Sequence, residues 1–91
     1  MSSAIWKFEL RVIGEQTVRM PFGATVLSAQ IQRDRICLWA TVDTDMHLQP
    51  RRFAIFGTGH DLPKPIAATF NFIDTIQANG LVFHVFELDP P

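Results

Sequence analysis

The sequence places a hydroxyl, an imidazole and a carboxylate close together in one short segment, GTGHD, at residues 57–61. His60 can donate a hydrogen bond or act as a general base there, with Thr58 and Asp61 as its nearest polar partners along the chain. Gly57 and Gly59 also suit a turn, because glycine adopts a positive φ without strain. The segment therefore has two interpretations, a ligand-binding loop and an ordinary turn.

Two arginines precede this segment and would supply positive charge to an anionic ligand. Guanidinium groups bind phosphate and carboxylate through paired, charge-assisted hydrogen bonds. The ligand hypothesis is therefore a site for a nucleotide or another anion, formed by Arg51, Arg52, Gly57, Thr58, Gly59 and His60.

The same segment departs from the known phosphate-binding loops. Those loops present glycine N–H groups at the N-terminus of a helix. Pro63 and Pro65 interrupt helical hydrogen bonding directly after the segment. The Lys-Ser/Thr ending of a Walker loop and the third glycine of a dinucleotide loop are also missing. We therefore expect a turn, with the ligand site as the alternative.

A second group of polar residues has the alternation that could hold a divalent cation. Asp43, Asp45 and His47 would point in one direction from an extended chain. Dedicated calcium and zinc sites normally use more protein ligands than this. We predict a hydrated loop, and neither a metal site nor a cofactor.

The remaining reactive or aromatic residues lie among apolar neighbours. Cys37 and His84 lie in the apolar segments ICLWAT and VFHVFE, so we expect buried or interface positions for them. Trp6 and Trp39 also alternate with apolar residues, which favours packing. Since no motif such as G-x-S-x-G supplies a nucleophile, no catalytic residue is predicted.

Composition limits the scaffold that carries these residues. A chain of 91 residues has room for one hydrophobic core, so residues 1–91 are predicted to form a single domain. Apolar residues make up 47% of the chain and charged residues 19%, which is an apolar balance for a small protein. We expect part of that apolar surface to lie between subunits.

The charge balance argues against nucleic acid as a partner. The formal net charge is -1, so the broad positive field typical of nucleic-acid-binding proteins is missing. The sequence contains no apolar run with the length of a signal peptide or a membrane span. Together with a single cysteine, this predicts a soluble protein in the cytoplasm without a membrane partner.

Alternation of apolar and polar residues predicts β-strands along most of the chain. The clearest strand covers residues 5–12, with Trp6, Phe8, Leu10 and Val12 on one face. Further strands are predicted over residues 16–20, 24–32, 36–43, 51–56, 66–73 with a continuation to 78, and 81–88.

Two of these strands have informative faces. In residues 24–32, Leu27, Ala29 and Ile31 are predicted to share one face. Residues 36–42 are apolar on both faces, which is typical of a central strand or of one covered by another subunit.

Turn residues separate the strands. Pro21 and Gly23 predict a type I turn with Pro21 at its second position. The polar residues 33–35 predict a hairpin, and Asn79-Gly80 predicts a second hairpin with a type I′ turn. No window shows a sustained helical stripe. The predicted fold is therefore all-β, a compact antiparallel β-sandwich of six or seven short strands with little or no helix.

Several segments taken together resemble one group of proteins. The order IWKFEL, MPFGATVLSAQIQ, CLWATVD, GTGH and VFHVFE, which covers nearly the whole chain, is similar to a family of small uncharacterised proteins encoded in bacteriophage and prophage genomes. The resemblance implies action in the cytoplasm of the infected bacterial host or association with the virion. It implies no catalytic residue.

Two functional classes follow. The first is a non-catalytic phage or prophage accessory protein that binds itself as a homo-oligomer and also binds a host or phage protein. It would inhibit a host factor or defence system, or serve as a minor virion or assembly component. The second class binds or hydrolyses a nucleotide or other anion at the GTGH segment. We rank the first class higher, because the sequence has excess apolar residues and no recognisable catalytic constellation.

Overall fold

In the part of the chain that the structure describes, seven β-strands form two antiparallel sheets in a sandwich-like arrangement, which confirms the predicted fold. The computed structural model describes residues 2–12, 14–62 and 70–88. Sheet A has the strand order β1-β4-β3 and sheet B the order β2-β5-β7-β6. The described residues contain no helix. The strands are β1 Ser3–Leu10, β2 Glu15–Pro21, β3 Thr25–Gln32, β4 Arg35–Asp43, β5 Leu48–Gly57, β6 Phe70–Ala78 and β7 Leu81–Leu88.

The centre of sheet A is β4, as the apolar run at residues 36–42 predicted. Its core-facing residues Ile36, Leu38, Ala40 and Val42 are at most 3% exposed. Cys37 points to the opposite face and is also buried, which agrees with its interpretation as a small buried hydrophobe. A strand flanked on both sides by neighbours buries both of its faces more readily than an edge strand does.

Sheet B supplies the opposing layer of the core from its central strands. Phe53 and Ile55 of β5 and Val85 of β7 are buried in the same cluster as the core residues of β4. Alternate residues of a strand point to opposite faces. The intervening residues Phe56 and His84 therefore lie on the outer face of sheet B, where they are paired in register.

Side-chain hydrogen bonds join the two sheets at both sides of the sandwich. On one side, the Asp74 carboxylate of β6 accepts hydrogen bonds from the backbone N–H of Ala29 and from Nε2 of Gln30, each at 3.2 Å. On the other side, the buried Gln16 bonds both backbone groups of Arg11, at 2.8 and 2.6 Å. These side chains satisfy backbone groups at the strand edges, where pairing with another chain would otherwise start.

Both predicted hairpins are confirmed. Arg33 and Asp34 join β3 to β4 with φ of 52° and 64°, and Asn79 and Gly80 join β6 to β7 with φ of 53° and 81°. Positive φ at both central residues defines the type I′ turn, whose twist matches that of paired strands.

The predicted type I turn at Pro21 is wrong. The N–H of Ala24 donates to the carbonyl oxygen of Pro21 at 3.1 Å, so Pro21 is the first residue of the turn and not the second. Gly23 occupies the third position with a φ of 80°, which is the signature of a type II turn.

The predicted face of residues 24–32 is wrong at Leu27. The β3–β4 register shifts between Val26 and Ser28, so a bulge turns Leu27 out to solvent while Ala29 and Ile31 pack inward. A bulge inserts one residue into the alternation, and simple period-two reasoning cannot place it.

Three further predictions concern Val12, Trp6 and the strand over residues 66–73. Strand β1 ends at Leu10, so Val12 lies beyond it and is exposed. Trp6 contacts Phe8 with ring centroids 6.4 Å apart but keeps part of its ring in solvent. Of the strand predicted over residues 66–73, residues 66–69 lie outside the described part of the chain, and residues 70–73 form one strand with 74–78.

Candidate functional site

The GTGH segment forms a turn at the end of β5, as expected. The N–H of His60 donates to the carbonyl oxygen of Gly57 at 3.1 Å, and Gly59 has a φ of 87°. Gly57 has a different role. A Cβ at Gly57 would lie 2.8 Å from the His60 imidazole, so glycine lets that ring lie against the backbone.

Thr58 bonds a histidine of the neighbouring strand, and not the nearby His60 in its own turn. Its Oγ1 lies 2.7 Å from Nε2 of His84, and Nδ1 of His84 lies 3.1 Å from Oγ1 of Thr75. The Thr58 N–H also donates to the carbonyl oxygen of Val82 at 3.1 Å, which fixes the backbone that carries the hydroxyl. We call Thr58, His84 and Thr75 the hydroxyl–imidazole chain.

The direction of the two bonds depends on the tautomer of the imidazole. A neutral imidazole donates from one nitrogen and accepts at the other. In the Nδ1–H tautomer, the His84 ring donates to Thr75 across 3.1 Å and accepts from Thr58 across 2.7 Å. That tautomer directs the hydroxyl of Thr58 at the lone pair of Nε2.

Arg51 belongs to an internal ion pair. Its Nε and Nη2 donate to the Glu87 carboxylate at 2.6 and 2.8 Å, and its Nη1 donates to the carbonyl oxygen of Ala24. The two charged side chains are only 17% and 15% exposed. The guanidinium is therefore already used within the fold, where it ties the β2–β3 connection to sheet B.

Arg52 is also paired, on the exposed surface. Its guanidinium donates to the Glu15 carboxylate of β2. Strand β5 separates Arg51 from Gly57 by six residues, or roughly 20 Å of extended chain. The structure therefore does not bring the arginines and the GTGH turn into one pocket. A ligand at Arg51, Arg52, Gly57, Thr58, Gly59 and His60 stays a prediction.

The alternating acidic segment has no arrangement that would hold a cation. Asp43 accepts a hydrogen bond from the Asp45 N–H at 3.0 Å, and the His47 ring stacks on Phe22 with centroids 5.4 Å apart. Over the described ranges, no three residues of the types His, Cys, Asp and Glu are placed to share a metal ion.

A groove of about 610 Å³ opens elsewhere, between β1, β2 and the β3–β4 turn. Its lining combines the buried Leu10 and Ile36 with four exposed charged residues, Glu9, Arg11, Asp34 and Arg35. None of the residues predicted to bind a ligand lines it. Its lining comprises residues 9–12, 16–18 and 34–36.

The outer face of sheet B carries four phenylalanines in contact, which we call the Phe cluster. Phe56, Phe70, Phe72 and Phe86 have ring centroids 5.6 to 6.1 Å apart in the four contacting pairs. Phe72 is 59% exposed. Aromatic pairs at this spacing attract one another beyond simple burial, and the outer face of an antiparallel sheet is commonly polar. The Phe cluster is therefore a candidate interaction surface.

The outer face of sheet A carries paired polar side chains beside the exposed Ile5 and the half-buried Trp39. Lys7 donates to Gln32 at 2.7 Å, and Arg35 lies 3.7 Å from Glu9 in an exposed ion pair. Water satisfies such side chains without a partner protein. Among the described residues, only sheet B presents a cluster of contacting aromatic rings on its outer face.

Half of the Phe cluster follows from the sequence. The alternation in the strand predicted over residues 66–73 puts Phe70 and Phe72 on one face, but only the strand order β5-β7-β6 brings Phe56 and Phe86 beside them. The sequence signal for the rest of the cluster is the segment VFHVFE, which carries apolar residues on both faces. Only one face of a strand in a two-layer fold lies in the core, so the apolar residues of the other face must lie on the outer surface.

A family model described as a domain of unknown function, DUF7352, matches residues 1–91. The chain belongs to the DUF7352 family. No curated protein and no solved structure matches the chain. The described residues also include no helix that is long and apolar enough to cross a membrane.

Proposed function

We propose that this DUF7352 chain is a non-catalytic protein-interaction domain that associates with a second copy of itself through the Phe cluster. The observation that carries the proposal is Phe72, which is 59% exposed and contacts Phe86, a ring that in turn contacts Phe56 and Phe70. Contiguous exposed apolar surface on a small protein marks interaction sites. The cluster concentrates that surface on one sheet face.

The energetic gain from covering this surface is appreciable. Full burial of an exposed phenylalanine side chain contributes about 1.5 to 3 kcal/mol. A twofold-symmetric contact uses the same patch on both copies, so each gain occurs twice. Closely packed aromatic residues are also the usual centre of binding energy in protein interfaces.

The charges around the cluster favour a protein over a nucleic acid. Exposed aromatic rings can stack on bases, but single-stranded nucleic acid also requires a cationic track for its phosphates. On β5, the outward-facing Arg52 is paired with Glu15, and Arg51, on the inner face of the strand, is paired with Glu87. The formal net charge of the chain is -1. An uncharged apolar surface, such as the same face of a second copy, is the better complement.

A phage or prophage setting is part of the proposal. It is supported by the similarity of the segment order, from IWKFEL to VFHVFE, to small phage-encoded proteins. In that setting the oligomer acts in the cytoplasm of the infected host or in the virion. It binds a host or phage protein, either as an inhibitor of a host factor or defence system or as a minor virion or assembly component.

Size-exclusion chromatography with light scattering tests the self-association. At micromolar concentrations the chain should have at least twice the mass of a monomer, and the mass should fall on dilution. A monomer mass over the whole micromolar range would contradict the proposal. Affinity capture from infected cells with mass spectrometry would then identify the second partner.

A further inference from the structure

We propose that Thr58 is a nucleophile that accepts an acyl group from an activated apolar ester or thioester, with His84 as its general base. The inference goes beyond the proposed interaction function. The acyl chain and a second copy would cover the same rings of the Phe cluster, so acylation should weaken self-association. It rests on the hydroxyl–imidazole chain, which lies on the outer face of sheet B and runs from the end of β5 across β7 to β6.

The geometry matches the arrangement that activates hydroxyl nucleophiles. Such sites hold the hydroxyl within hydrogen-bond reach of a base, and a third group orients the base. Here Thr58 lies 2.7 Å from Nε2 of His84, and Nδ1 of His84 lies 3.1 Å from Thr75. Thr75 acts through the imidazole, by accepting Nδ1–H and keeping the Nε2 lone pair directed at Thr58. It is therefore a positioning residue.

Thr58 is also accessible to a reactant. It is exposed at the second position of the turn that ends β5. The next residue, Gly59, borders open space, because a Cβ placed on it would have no described atom beyond its chain neighbours within 4 Å. The N–H of Thr58 is bonded to the carbonyl oxygen of Val82, which holds the Thr58 hydroxyl against the imidazole and leaves its other side open.

The neighbouring side chains indicate the class of acyl group. Phe56 pairs directly with His84 in the β5–β7 register, and Phe86 follows His84 by two residues on the same face. An acyl chain attached at Thr58 would lie against these two rings of the Phe cluster. Aromatic rings gain free energy by covering aliphatic groups, so the preferred donor carries a neutral, apolar acyl chain.

The reaction balances with the acyl donor as the sole co-reactant. Oγ1 of Thr58 forms a bond to the carbonyl carbon, and its proton passes to Nε2 of His84. The bond from that carbon to the leaving oxygen or sulfur then breaks. The leaving group takes the proton from Nε2, which regenerates neutral His84. The products are Thr58 carrying an ester and a free alcohol or thiol.

The test uses p-nitrophenyl butyrate as the probe and the full chain as the protein. After acid quenching, intact mass and peptide mapping locate the adduct, and p-nitrophenolate release gives the rate. The parent chain and Thr58→Ser should form one butyryl adduct at residue 58. Thr58→Val should form none. His84→Gln should lower the rate by about 100-fold or more, which is the usual loss on removing a general base.

Further variants separate activation from structural effects. Thr75→Val should slow acylation and Thr75→Ser should restore it, because only the hydroxyl is required to orient the ring. Thr41→Val, at an exposed threonine of β4, should react like the parent chain. The proposal would be overturned by the absence of an adduct in the parent chain, by an adduct elsewhere, or by an equal rate in His84→Gln with an unchanged melting temperature.

Discussion

Arg51 and Glu87 form a two-point ion pair inside sheet B, with Nε–Oε2 and Nη2–Oε1 distances of 2.6 and 2.8 Å. A third guanidinium contact reaches the carbonyl oxygen of Ala24, in the connection that leads from sheet B to sheet A. Lysine cannot reproduce this planar set of donors. The arginine that sequence analysis assigned to an anionic ligand thus contacts an anionic side chain of its own chain.

Glu87→Gln should destabilise the fold by about 2 to 3 kcal/mol, because it leaves a partly buried guanidinium without its counter-charge. Arg51→Lys should also destabilise the fold, since it loses two of the three contacts. Urea denaturation measures both effects. Glu15→Gln is the matched control, because it breaks the exposed pair with Arg52, and exposed pairs contribute about 0 to 1 kcal/mol. Equal losses in the two glutamate variants would contradict the distinction.

Asp74→Ala should loosen the side of the sandwich where β3 meets β6. It removes the acceptor of the Ala29 N–H, which leaves a backbone donor exposed at the edge of sheet A. Loss of one such bond to a charged acceptor costs about 1.5 to 3 kcal/mol, and hydrogen exchange at the Ala29 amide should accelerate. Gln30→Ala removes the second bond to Asp74 and keeps the first, so it should leave that amide protected. An unchanged Ala29 exchange rate in Asp74→Ala would refute the role of this carboxylate.

The two glycines of the GTGH turn should respond differently to alanine. Gly59→Ala should cost about 1 to 2 kcal/mol, because a φ of 87° places Cβ against the backbone. Gly57→Ala should instead displace the exposed His60 ring, whose nearest atom lies 2.8 Å from the new Cβ. Thermal melts and the NMR chemical shifts of His60 separate the two effects. A larger stability loss at Gly57 would show that the His60 ring is held more firmly than its exposure implies.

The β3–β4 hairpin can be stabilised with the turn chemistry of the β6–β7 hairpin. Arg33 and Asp34 both have positive φ in a type I′ turn, where Asn-Gly is the preferred pair. The double variant Arg33→Asn, Asp34→Gly should raise the free energy of unfolding by about 1 kcal/mol. Exchanging Asn79-Gly80 for Arg-Asp should have the opposite sign. Chemical denaturation of both variants provides the measurement, and a loss of stability in the first would contradict the turn assignment.

Local patterns in the sequence predicted most of the fold. The β6–β7 hairpin followed from Asn79-Gly80, and the central position of β4 followed from a run that is apolar on both faces. These features depend on neighbours in the chain, where turn preference and periodicity act directly. The predicted face of Leu27 and the predicted turn type at Pro21 were wrong, because each depends on how partner strands align in space.

The candidate site was less predictable, because it depends on side chains that are distant in sequence. The partner of Thr58 is His84, 26 residues away, and not His60 in the same turn. The partner of Arg51 is Glu87, 36 residues away. Both contacts follow from the placement of β7 beside β5, which no spacing in the sequence encodes. Short-range motifs therefore predict the turn, but not the side chains that contact Thr58 and Arg51 in the fold.

The most direct test of self-association through the Phe cluster compares two phenylalanine variants by size-exclusion chromatography with light scattering. Phe72→Ser removes the exposed ring of the cluster, and Phe22→Ser removes a ring of similar exposure, 48%, on the β2–β3 turn. We predict that Phe72→Ser shifts the chain to monomer at concentrations where the parent and Phe22→Ser remain oligomeric. Oligomers that persist in Phe72→Ser, or dissociate equally in both variants, would contradict the assignment of the interface to the Phe cluster.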